Sequence, residues 1–191
     1  QGSSYQTRIQ IMYGTFTGFH RVFSEETGSD PQKFKDEYMG RVVVSTGKIA
    51  TDTSDDKGNW TIKYGEDGIT IEDALPEIAL STIRKDPRVF GVMGDPNRIS
   101  SRETRLIVNS VGEGAIWVAN TNGNIQNGDY IQTSDQLGYG EKQDDDILHN
   151  YTVAKATMDC PFDLNNVNLY KCITLPNGVK AAFIACTYHC G

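Results

Sequence analysis

Leu106-Ile107-Val108-Asn109-Ser110-Val111 and, past Gly112-Glu113-Gly114, Ala115-Ile116-Trp117-Val118-Ala119 read as two strands with buried faces. Both runs are short, rich in β-branched or aromatic residues and bounded by glycine, a pattern that favours strand over helix. Asn122-Gly123 and Asn127-Gly128 come next, and each offers the positive-φ pair that a tight hairpin turn requires. Tyr130 to Thr133 then resumes as a short strand. Downstream, Tyr151 to Met158 fits a strand, although its apolar positions also match two helical turns. Asn177-Gly178 closes a last hairpin between Leu169 to Leu175 and Val179 to Tyr188.

Upstream the same grammar holds. Tyr5 to Tyr13 alternates polar and apolar residues as a half-buried strand, and Gly14 to Phe23 continues extended. Asp30-Pro31 supplies an N-cap and a first-turn proline, which predicts one short helix from Pro31 to Met39, closed by Gly40. Arg41 to Thr46 reads as strand, turning at Gly47 and resuming at Lys48-Ile49-Ala50. The Asp- and Gly-bearing tract Thr51 to Asn59 reads as a mobile loop, and Trp60 to Tyr64 alternates again. In Ile71 to Leu80, Pro76 cuts any helix to about one turn, and Ile78-Ala79-Leu80 is better read as strand. Arg88 to Met93 is a strand that ends in the turn Asp95-Pro96-Asn97-Arg98. The expected fold is mainly β: about ten short antiparallel strands and hairpins with one or two short helices. Gln1-Gly2-Ser3-Ser4 looks like a vector scar. Residues 5–191 then form one domain, with two β lobes at 5–95 and 104–191.

Composition narrows the function. The chain has 191 residues and a formal charge of −7 from 18 Lys and Arg against 25 Asp and Glu, so a nucleic-acid backbone is not an expected partner. Hydrophobic residues at 38% are too many for a disordered chain. No stretch approaches the ~20 apolar residues of a membrane helix, and no membrane partner is expected. All four cysteines (Cys160, Cys172, Cys186 and Cys190) fall in the tail. Their spacing does not repeat the paired CxxC of a zinc ribbon, so they read as small buried hydrophobes or reduced thiols, with two disulfides left open. In a strand, Cys186, Tyr188 and Cys190 share a face that His189 does not.

Chemistry-bearing candidates are few. Nucleophile-elbow, phosphate-loop and zincin motifs are all missing from the sequence. His149 after Asp144-Asp145-Asp146 suggests hard-ion ligation, yet calcium loops space their acids, so a solvated turn is the better reading and neither metal nor cofactor is expected. Thr17, His20, Glu25 and Glu26 are the candidate catalytic residues: carboxylates near a hydroxyl can activate it for acyl transfer and later protonate the leaving amine.

Several blocks together resemble a known family. They are Gly18-Phe19-His20-Arg21-Val22-Phe23, Asp36 to Gly47, Ile71 to Pro76, Lys85 to Val92 and, most specifically, Val108-Asn109-Ser110-Val111-Gly112-Glu113-Gly114-Ala115-Ile116-Trp117-Val118 with Asn127 to Ile131. Gly138-Tyr139-Gly140, Lys142 to Asp146 and His149 to Ala156 complete the set. The chain resembles the intramolecular-chaperone autoproteolytic cleavage domain that ends bacteriophage neck appendages, tail spikes and related viral fibre proteins. The resemblance covers roughly residues 15–160 and implies a homotrimer that guides folding of the upstream fibre segment of the same chain. It also implies assembly in the host cytoplasm and a final place in the virion.

Self-processing members resembling this chain cut after Ser in Ser-Asp-Tyr-Ala-Glu. Aligned on Phe23, those positions hold Thr17-Gly18-Phe19-His20-Arg21. Arg21 replaces the carboxylate and cannot serve as a base. Glu25 or Glu26 substitutes only if the loop folds back, and the chain runs uncut through Thr17, so no autoproteolytic release is expected. Three readings follow: a trimeric assembly domain of a fibre, a peptidase acting once in cis, or a knob binding a host surface receptor through Thr51 to Asn59 and Thr121 to Asn127. Trp117, Tyr139 and Leu148 read as buried anchors, either on the three-fold interface or in the core of the domain itself.

Overall fold

A computed structural model describes residues 17–24, 37–54, 60–64, 69, 74–95, 106–166 and 169–189. The strands are β1 (Thr17–Val22), β2 (Val42–Ser54), β3 (Trp60–Tyr64), β4 (Leu75–Leu80), β5 (Val89–Met93) and β6 (Leu106–Ala119). They continue with β7 (Tyr130–Thr133), β8 (Gly140–Lys142), β9 (Thr152–Ala156), β10 (Lys171–Thr174) and β11 (Lys180–His189). The protein is mainly β. Among the described residues, helical structure is limited to a turn within 37–40 and a 3-10 turn at Asn120–Asn122.

One sheet holds all eleven strands of the described residues, in the order β10-β11-β9-β7-β8-β6-β5-β2-β3, with β1 added to β6 and β4 to β2. A further pairing of β11 with β6 closes β6, β8, β7, β9 and β11 into a five-stranded barrel. Strand pairing is antiparallel apart from β6 with β8, which meet in parallel at Val118 and Gly140. Along β11 the barrel dictates a period of two: Ala182, Ile184, Cys186 and Tyr188 are buried, while Ala185 and His189 are exposed. Ile116, Val118, Ile131, Val153 and Ile184 fill the interior, joined by Ile125, Cys160 and Phe162. The N-terminal part of β6 pairs with β1 and β5, so one strand serves both the barrel and the flank built on β2. That flank has its own small core of Val22, Tyr38, Val43, Ile78, Met93 and Val108.

Several expectations are corrected. The two strands read at Leu106 to Val111 and Ala115 to Ala119 are a single 14-residue strand. Gly112, at φ +104°, and Gly114 do not break it, and at Gly114 the Tyr188 ring takes the space a side chain would fill. A Cβ on Gly114 would lie 2.8 Å from Cε2 and Cζ of the Tyr188 ring. The Tyr188 hydroxyl donates to the Ala115 carbonyl at 2.8 Å and accepts from its N–H at 3.0 Å. Likewise β2 does not turn at Gly47: that residue, at φ +88°, lies where the pairing with β4 slips between Ser45 and Ile49. A glycine in the left-handed region lets a strand absorb such an irregularity and continue. Thr51 to Ser54, read as loop, extend β2 against β3.

Asn-Gly pairs behave differently from expectation as well. Lys85 and Phe162 are the non-glycine residues with positive φ among those described, so Asn122, Asn127 and Asn177 do not form two-residue hairpin turns. Asn122 ends the 3-10 turn, and β7 pairs with β8 and β9 instead of β6. Asn177-Gly178 does join β10 to β11, through a three-residue loop closed by Leu175 N–H to Val179 O at 2.8 Å. Strands from Trp60, Leu75, Val89, Tyr130, Thr152, Lys171 and Lys180 match the reading of the alternating runs. The expected strand Tyr5 to Tyr13, most of the helix Pro31 to Met39 and the turn beyond Asp95 lie outside the described residues.

Candidate functional site

Thr17 opens β1 opposite Gly112 of β6. Its side chain borders a groove of about 740 Å³ whose lining includes Gly114, Asn109, Phe183 and Tyr188. The hydroxyl donates to the backbone carbonyl of Glu113 at 2.7 Å. An amide carbonyl accepts a hydrogen bond but does not take the proton, so this contact orients the hydroxyl without activating it. His20 stands opposite Val108, packs against Phe90 at 5.4 Å between ring centroids and lines other cavities than the Thr17 groove. The structure therefore does not bring Thr17 and His20 together. Glu25 and Glu26 lie outside the described residues.

The acidic run before β9 is a loop clamp. Asp144 receives Lys85 Nζ at 2.7 Å, Arg84 Nη2 at 3.2 Å and Asn122 Nδ2 at 2.8 Å. The Lys85 bond, followed by Asn122, holds the Asp144 carboxyl below the usual carboxylate range. Asp145 is held low chiefly by His149, whose Nε2 lies 3.0 Å from each carboxylate oxygen. Among the described residues no three His, Cys, Asp or Glu side chains stand close enough to hold a metal ion. Cys160 and Cys172 are free thiols, and burial pushes both up. Cys186 and Tyr188 share the barrel's inner face.

Sequence reading missed two polar assemblies. Arg41 sits 3.9 Å from the Tyr139 ring centroid and 5.6 Å from that of Trp117, so these two aromatic residues anchor the domain internally through cation–π contacts. Glu141 is buried in the barrel wall, paired with Arg84, and accepts from Gln132 Nε2 and Thr121 Oγ1. A lone charged residue inside an alternating run gives no advance sign of such a network. The loop Thr121 to Asn127 is tied down besides, with Asn122 bonded to Lys142 and Asn127 N–H to Asp159.

Besides the exposed Ile69 and Leu169, three loops carry apolar surface. Ile83, Leu137, Ile147 and Leu148 are each more than half exposed. Gly138 N–H bonds Ser81 O at 2.8 Å, which joins the loop of Leu137 to that of Ile83. The Arg84 and Lys85 pairs with Asp144 join the Ile83 loop to that of Ile147 and Leu148. Leu148 is thus a surface residue, whereas Trp117 is half-buried and Tyr139 buried. No family model, no curated protein and no solved structure matches the chain.

Proposed function

We propose that this chain is a trimeric assembly domain, an intramolecular chaperone that sets the register of a viral fibre segment preceding it in the same polypeptide. Repetitive β fibres have a slippable register, and their long-range pairing is slow, so a compact nucleus at one end speeds correct alignment. The observation that carries this reading is the set of four exposed aliphatic side chains on loops already stapled to one another. A face fixed before association loses little conformational freedom on docking to further copies. Fully burying one Leu or Ile side chain contributes about 1.5–3 kcal/mol, so even partial burial across three protomers favours association. Thr17, bonded to a carbonyl, supports a guide that stays attached to its fibre.

The test is a precursor carrying its natural upstream segment, produced as wild type and with Ile147→Asp plus Leu148→Asp. Soluble trimeric fibre is expected from the wild type only, while the variant domain keeps its far-ultraviolet circular dichroism. Equal yields of trimeric fibre from both would overturn the reading.

A further inference from the structure

The chain contains three histidines, His20, His149 and His189, and all three line a single cleft of about 320 Å³. They arrive from separate places: β1, the turn before β9, and the end of β11. Each ring is held by an aromatic neighbour. His20 tilts against Phe90 at 5.4 Å, His149 stacks on Tyr151 at 4.6 Å and 17°, and His189 meets Tyr130 edge-on at 5.9 Å and 88°. Val89, Phe90 and Leu148 wall the cleft with apolar surface, while Ser110 and Asn150 add neutral polar groups. No acidic side chain is among its described lining residues.

We propose that this three-histidine cleft is an acid-gated binding site for a tetrahedral oxyanion of the sulfate or phosphate class. The volume lies at the small end of ligand pockets, which suits a compact anion. The imidazoles do not converge tightly enough for a metal ion. An oxyanion spreads its acceptors over several oxygens and so accepts from donors that stand farther apart. Histidine is the residue type whose charge changes between about pH 5 and 8, and its imidazolium form offers two N–H donors suited to an anion.

Surrounding charges leave that surplus in place. Asp145 on the Nε2 of His149 offsets one positive charge. Arg21, next to His20 in β1, falls on the opposite face of the strand, and Lys155 lies 5.7 Å from the Tyr130 ring that meets His189. Glu113 is opposite Thr187, two residues from His189, and Lys85 lies 5.8 Å from the Tyr151 ring, itself paired with Asp144. Beside Pro87 of the cleft wall, Asp86 and Arg88 cancel in an ion pair at 2.7 Å. Protonation favours the anion, and by linkage the anion draws protons onto the rings.

Sulfate is the probe of choice because its charge does not change across this pH range, so any change in affinity belongs to the protein. Calorimetry and histidine-ring NMR on the full chain should show sulfate binding at about pH 5.5 that moves all three ring signals, and binding roughly tenfold weaker or more at about pH 8. Inorganic phosphate, mostly the monoanion at the acid pH, should bind more weakly than the sulfate dianion, and planar acetate more weakly still. His20→Gln with His189→Gln should abolish the acid-dependent gain while circular dichroism stays unchanged. Ring signals that ignore sulfate, equal affinity at both pH values, or acetate binding as tightly as sulfate would each overturn the proposal. The wild-type pH comparison decides the matter even if the double variant fails to fold.

Discussion

The barrel and the flank are built from the same sheet but solve the edge problem differently. In the barrel, β6, β8, β7, β9 and β11 each find partners around a closed ring, and inward residues alternate along a strand such as β11. In the flank, β2 holds β3, β4 and β5 together, and β3 and β4 pair with β2 alone among the described strands. Closure removes exposed strand edges and binds every strand to the same interior. The flank depends instead on one central strand and a small core. The barrel should therefore unfold as a unit, with the flank opening at lower cost.

The largest expected effect tests that difference directly. Ile116 in the barrel and Ile78 in the flank are almost equally buried, at 0% and 1% exposure. Ile116→Ala should lower stability to urea by about 2–5 kcal/mol, with all amides losing protection together. Ile78→Ala should instead speed hydrogen exchange in β2 and β4 while barrel amides stay protected. Equal loss of barrel protection in both variants would break the comparison.

Next in size is Gly114→Ala, where the new methyl meets the Tyr188 ring. Overpacking of this kind costs about 1–3 kcal/mol. Tyr188→Ala should cost less on that background than in the wild type, a non-additivity read from the four chemical-denaturation curves of a double-mutant cycle.

Two buried carboxylates sharpen the contrast further. Glu141 in the barrel accepts from Thr121 and Gln132 and pairs with Arg84, whereas Glu77 in the flank accepts from Thr46 and pairs with the exposed Lys48. Glu141→Gln should cost about 1–3 kcal/mol because buried donors lose a charged partner. Glu77→Gln should cost about 1 kcal/mol or less, since Lys48 returns to water. Thermal unfolding of the two variants gives the order.

Asp86 gives the smallest effect, and it sits where the two regions join. Its N–H donates to Thr133 Oγ1 of the barrel at 2.8 Å, and its carboxylate holds Arg88. The Arg88 side-chain bonds hold the Asp86 carboxyl below its ordinary 3.8. A lowered folded value means that the stabilisation is complete above 3.8 and fades as pH falls through the lower value. The stability gap between wild type and Asp86→Asn should be constant near neutrality and shrink in acid. A gap that grows on acidification would reverse the sign.

Local patterning made much of the fold legible. The β10–β11 hairpin, β7, β9 and β5 follow from alternation and turn residues within about a dozen positions of one another. Barrel closure does not, because β6 meets β11 across a long stretch of chain, from Val111 opposite His189 to Ala119 opposite Ala181. Gly112-Glu113-Gly114 looks like a break until Tyr188, a distant residue, is seen to fill the space beside Gly114. Asn-Gly likewise promises a hairpin only when the flanking strands are neighbours, and those around Asn122 are not. The site was less legible still. Thr17 and His20 are three residues apart, yet a strand gives that spacing no shared face, and they line different cavities. Nothing local foretells that three histidines spread along the chain meet in one cleft.

The account stands or falls on self-association. Light scattering on the purified chain at micromolar concentration should give a particle of three times 21.1 kDa, reduced by Ile147→Asp with Leu148→Asp. A wild-type mass of 21.1 kDa that holds as concentration rises would contradict it.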